Sequence, residues 1–74
     1  MPKLSVLSGT DVVKALTGTG FFIDHQTGSH IIMRHEGKLV RTLSVPKHRE
    51  LKLGTHRGII KLADMTVEEF IKLL

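Results

Sequence analysis

FFIDHQTGSHIIMRHEGKLVRTLSV, residues 21–45, is the stretch that decides the fold. It reads as three short strands joined by two tight turns. FFIDHQ (21–26) is the first strand; on regular alternation Phe21, Ile23 and His25 share one face, and Phe22, Asp24 and Gln26 the other. TGS makes a hairpin connection, because Gly28 takes a positive φ without a Cβ penalty. HIIMRH (30–35) is the second strand, EGK (36–38) the second turn and LVRTLSV (39–45) the third strand. Pro46 ends it, since proline has no N–H to give to a ladder. Consecutive strands with short turns form an antiparallel meander.

Alternation then sorts the second strand. His30, Ile32 and Arg34 share one face, and Ile31, Met33 and His35 the other. If Leu43 and Val45 of the third strand point to the core, Thr42 and Ser44 point outward. His30 then stands on the open face beside small hydroxyls and basic side chains. That placement is conditional on the pairing register, since a slip of one residue moves every side chain to the opposite face.

Helices flank the meander. Ser8 and Asp11 have the spacing of a capping box, Leu7 and Val12 that of a hydrophobic staple, and Val12, Val13 and Leu16 form an apolar stripe. Gly18 and Gly20 stop this helix. PKHRELKLG (46–54) is polar and basic and reads as an ordered loop. A helix over 55–64 presents His56, Ile59, Ile60 and Ala63. Thr66 and Glu69 form a second box, with Met65 and Phe70 as its staple, and Val67, Phe70, Ile71 and Leu74 as the buried stripe. The order is α-β-β-β-α-α, an α+β domain with a three-stranded antiparallel sheet and helices on one face. This is the topology of double-stranded-RNA-binding domains (dsRBD-like), and topology alone assigns no function. Residues 1–74 make one domain.

A chain of 74 residues buries roughly 60% of its unfolded surface. With no cysteine it has no disulfide to help, so the core comes from Leu, Ile, Val, three Phe and three Met. No apolar run approaches the roughly 20 residues of a membrane span, and MPKLSVLSG lacks the apolar segment of a signal peptide, so a cytoplasmic protein away from membranes is expected. The net charge of +4 is unevenly spread. Between His30 and Lys61 stand eight Lys/Arg (Arg34, Lys38, Arg41, Lys47, Arg49, Lys52, Arg57, Lys61) against Glu36 and Glu50, a balance of +6; the remainder has three Lys and five acids, a balance of −2. A basic face of this kind suits phosphates, although a solvated surface has the same composition. With no Trp or Tyr, platforms for stacking bases are scarce.

Five histidines could do chemistry: His25, His30, His35, His48 and His56. RNA cleavage needs a base for the 2′-hydroxyl proton and an acid for the departing 5′-oxygen, and imidazole serves either role near neutral pH. Lys or Arg meets the charge that develops on the phosphorane. His30 is the candidate the open face favours; the structural alternative is a strand residue packed on its turn. His25 and His35 read as half-buried strand residues and His56 as a core residue. His48, in the basic loop, is a candidate phosphate contact. No cysteine pair or helical H-x₃-H pair supports a metal, so neither metal nor cofactor is expected. Phosphate-loop, dinucleotide and serine-hydrolase patterns are absent.

SGTDVVKALTGTGF, TGSHIIMRH, SVPKHRELKLGT and ADMTVEEFIKLL together resemble the HicA toxins of type II toxin–antitoxin systems, over roughly Leu4 to Leu74. Gly28-Ser29-His30 followed by apolar residues is the most specific piece; Pro46-x-His48 and Gly54-Thr55 add to it. The resemblance implies a dsRBD-like fold, ribosome-independent mRNA cleavage, His30 as the catalytic histidine and a HicB-type antitoxin that covers the active face. Gly28, Ser29, Arg34, Lys47, His48 and Lys52 are the candidate substrate contacts on single-stranded mRNA, with Lys47, His48 and Lys52 candidates for proton transfer as well. His56, His25 and Phe22 depart from the family's usual pattern, and no second catalytic residue follows from the resemblance. A non-catalytic RNA-binding module of the same topology is the main rival. It would use His56, Arg57 and Lys61 at the start of the last main helix. A protein whose open sheet face docks a partner is another.

Overall fold

Residues 6–37 and 40–74 are described by a computed structural model. The N-terminal reading of residues 1–5, the Lys38 end of the second turn and the placing of Leu39 at the start of the third strand lie outside the described residues. The element order is α1 (Gly9–Thr17), β1 (Phe22–Thr27), β2 (His30–Glu36), β3 (Val40–Pro46), α2 (Leu53–Leu62) and α3 (Val67–Ile71).

Local chemistry sets both boxed helix starts. Ser8 Oγ accepts from the Asp11 amide at 3.1 Å, and the Asp11 carboxylate accepts from the Ser8 amide at 3.3 Å. Thr66 and Glu69 repeat the arrangement at 3.1 and 2.9 Å. Each box satisfies amides that a helix start leaves unpartnered. After α1 the left-handed turn falls on Gly20 (φ 95°), whereas Gly18 stays right-handed at φ −73°. Helix α2 starts at Leu53, earlier than the spacing predicts, with Lys52 as a cap that makes no side-chain hydrogen bond.

The sheet runs β1-β2-β3, antiparallel throughout, with β2 in the centre. Ile31 and Met33 of β2 and Leu43 and Val45 of β3 are buried, so the helices cover that face and His30, Ile32 and Arg34 lie on the other. The core joins these four to Val12, Leu16, Phe21, Ile59, Ile60 and Phe70. Each such side chain contributes roughly 1.5–3 kcal/mol by leaving water.

Three expectations need correction. The first strand begins at Phe22, and its alternation breaks: Ile23 pairs with Met33 and His25 with Ile32, leaving Asp24 unpaired. This bulge turns His25 to the face of Phe22 and away from that of Ile23. At the C-terminus, Leu74 is exposed and Leu73 packs on the core instead, because α3 ends at Ile71 and the chain turns there. Helix α2 also stops at Leu62, short of residue 64.

The basic loop 47–52 is ordered by three backbone bonds: Lys47 N–H to Ser29 O (2.6 Å), Gly9 N–H to His48 O (2.9 Å) and Leu51 N–H to Leu7 O (2.9 Å). Leu51 is buried beneath it. The crossing is tight at Gly9, where a Cβ would be driven into the Pro46 carbonyl and would lie 3.2 Å from the Lys47 Cα.

Candidate active site

The β1–β2 connection contains only Gly28 and Ser29. Gly28 has φ 55°, and Ser29 is not in the left-handed region, which is the sign pattern of a type II′ turn with glycine first. Such a turn matches the twist of its strands and fixes Thr27 opposite His30. On the other side His30 pairs with Pro46. Lys47 follows, and its amide holds the Ser29 carbonyl, so the basic loop is clamped against the hairpin end. The His30 side chain is exposed there. Thus Gly28, Ser29, His30 and the Lys47 backbone come together at one corner of the open face.

The remaining candidates are more spread. Arg34 shares the face of His30 but stands four residues along the strand, roughly 13 Å away at about 3.3 Å per residue. Its Nε is buried without a hydrogen-bond partner among the described residues and lies 3.9 Å from Glu36 Oε1. His48 is exposed in the loop while its carbonyl serves Gly9. Lys52, also exposed, caps α2. Arg41 stands opposite His35 on the helix side of the sheet, where it meets Asp64 at 3.2 Å.

The other histidines separate by environment. His35 is half-buried on the helix side, its ring centroid 5.1 Å from that of Phe21. Cβ atoms at Gly20 or Gly37 would come within 2.9 Å of it, so these glycines make room for the ring. His56 is buried edge-on to Phe70, with centroids 5.0 Å apart and planes at 84°. Burial lowers its pKa from the usual 6.5. Both match the expected structural roles. His25 does not: the Asp24 bulge puts it on the open face, diagonal to His30, with its Nδ1 2.7 Å from Asp24 Oδ2. Regular alternation would have pointed these neighbours apart, and no local signal in FIDHQT marks the bulge.

Among the described residues, concave surfaces are lined by Arg57, Lys61 and Glu69 and by Phe21, His35 and Arg41. His30 stands on an open sheet face, the shape that suits a chain-like ligand better than a small enclosed one. No three His, Asp or Glu side chains converge as a metal site among the described residues.

An α-β-β-β-α-α domain with an exposed histidine at a Gly-Ser hairpin, beside a clamped basic loop, defines a class of small α+β proteins with one open sheet face. Residues 9–65 match the family described as HicA toxin of bacterial toxin-antitoxin, and the chain belongs to that family. No curated protein and no solved structure matches the chain significantly. Toxins of this family are paired with antitoxins. No helix among the described residues is long and apolar enough to cross a membrane.

Proposed function

We propose that the protein is an mRNA interferase: an endoribonuclease that cuts single-stranded mRNA without a metal, with His30 transferring a proton and a HicB-type antitoxin silencing it by covering the open face. One observation carries the reading. In a chain of the HicA toxin family, His30 is exposed at the corner where the Gly28-Ser29 turn and the Pro46-Lys47 loop meet.

The chemistry follows from that position. An exposed imidazole reaches a ribose or a phosphate from solvent. Lys47, His48, Lys52 and Arg34 offer charge to the backbone, with Gly28 and Ser29 admitting it closely. Few aromatics leave little for base stacking, so sequence preference should be modest. The test uses the full chain and a labelled single-stranded RNA. Expected products end in a 2′,3′-cyclic phosphate and a 5′-hydroxyl, with chelator present, and 2′-O-methylated RNA stays intact. Saturable binding with no cut would instead establish the binding-module reading.

A further inference from the structure

A strand in regular alternation cannot hydrogen-bond adjacent side chains, because they leave opposite faces. Asp24 and His25 do so, at 2.7 Å, because the bulge leaves Asp24 without a partner on β2. The side chains are 41% and 57% exposed, so the pair is within reach of a large substrate and is not a core feature. A surface pair alone contributes little to stability. Its position gives it another meaning. His25 lies directly across from Ile32, and Thr27 directly across from His30. His25 is therefore a diagonal neighbour of His30 on the same open face, with backbone positions about 7–8 Å apart. On its other diagonal stands Arg34. Among the described residues, the titratable and charged groups of this face are Asp24, His25, His30, Arg34 and Glu36, with Lys47 and His48 in the loop clamped at its corner.

We infer that His25 is the second proton-transfer residue of the site, with Asp24 its positioning residue; the inference rests on the ribonuclease reading. A carboxylate can only accept, so Nδ1 of His25 carries the proton in that bond, and the lone pair of the neutral ring is left on Nε2. This is the tautomer a base requires. His25 Nε2 takes the 2′-hydroxyl proton as O2′ bonds to phosphorus. The P–O5′ bond breaks, and the imidazolium of His30 gives its proton to O5′. One proton passes from substrate to His25 and one from His30 to product. Cyclic phosphate and 5′-hydroxyl leave, and water restores both rings. A phosphate held by hydrogen bonds of about 2.6–3.2 Å on each side fits between two imidazoles so spaced. Arg34, on the far diagonal, offers charge to the phosphorane.

The experiment compares wild type, His25→Ala, His25→Gln, Asp24→Asn and His30→Ala on the same RNA, each checked for fold by circular dichroism. Both His25 variants should lose about 10²- to 10⁴-fold in kcat with KM little changed, and should lose the acidic limb of the pH profile. Asp24→Asn, whose amide donates to Nδ1 and forces the proton onto Nε2, should lower kcat while KM holds. RNA with a 5′-bridging sulfur needs no acid for its leaving group, so it should restore His30→Ala and leave His25→Ala inactive. A folded His25→Ala that cuts at the wild-type rate, beside an inactive His30→Ala, overturns this inference alone. Rescue of His25→Ala by the sulfur substrate overturns the base assignment. A His30→Ala that cuts ordinary RNA at the wild-type rate overturns the His30 assignment, and a wild type that cuts no RNA overturns the ribonuclease reading beneath both.

Discussion

His56 offers a sharp test of how the core is built. Its ring is 1% exposed, and Nε2 is buried with no hydrogen-bond partner among the described residues. An unsatisfied buried polar atom costs about 1–3 kcal/mol, while the edge-on contact with Phe70 returns about 0.5–1.5 kcal/mol. His56→Leu removes both, so at neutral pH the variant should be more stable by about 1 kcal/mol, raising Tm by about 4–8 °C. Acid should enlarge the difference. Burial lowers the folded pKa of His56 below the 6.5 of the unfolded chain. Between those two values the unfolded chain holds a proton that the folded chain does not, so stability falls as pH falls below 6.5 and stops falling at the folded pKa. The slope is at most about 1.4 kcal/mol per pH unit. The other four histidines are common to both proteins, so the difference between them isolates His56. Urea unfolding followed by circular dichroism at about pH 7.5 and about pH 5.5 measures both effects. A variant less stable than wild type at both values, or a gap that does not widen in acid, refutes the reasoning.

Gly9→Ala should destabilise by on the order of 1–3 kcal/mol, because the new methyl meets the Pro46 backbone, which cannot swing aside as a side chain could; thermal unfolding checks it. Thr66→Ala removes the cap of α3 and should cost about 1 kcal/mol in the same assay. Hydrogen bonds from Thr66 hold Glu69 below its usual 4.5, so the box's contribution is present above that pH and lost as pH falls through the folded value. Titration by NMR should show Glu69 returning toward 4.5 in the Thr66→Ala variant. Lys47→Ala and Lys52→Ala should each flatten the salt dependence of RNA binding by about 0.7 in the log–log slope, measured by fluorescence anisotropy.

The features legible in the sequence are those fixed within a few residues of chain. The Ser8–Asp11 and Thr66–Glu69 boxes, the positive φ of Gly28 and the two faces of β2 rest on local hydrogen bonds, on glycine's freedom and on alternation. So does the exposure of His30, since Leu43 and Val45 do face the core. Features set by pairing across the sheet were hidden. The bulge exists because β1 must keep Ile23 against Met33 and still bring Thr27 opposite His30, a constraint absent from FIDHQT itself. It alone brings Asp24 and His25 together. Gly9 likewise looks like an ordinary first-turn residue until the loop after β3 crosses it. At the C-terminus the helical stripe points to Leu74, but α3 is too short to carry the period that far, and Leu73 takes the place. His56 was legible as buried because it falls on a stripe of aliphatic residues; its unpartnered nitrogen was not.

The central claim is that the exposed imidazole at the Gly28-Ser29 hairpin carries the cleavage chemistry. Purified His30→Ala, shown to be folded by its thermal transition and still able to bind RNA, should release no cyclic-phosphate product where wild type does. Cleavage by that variant at the wild-type rate would contradict the claim.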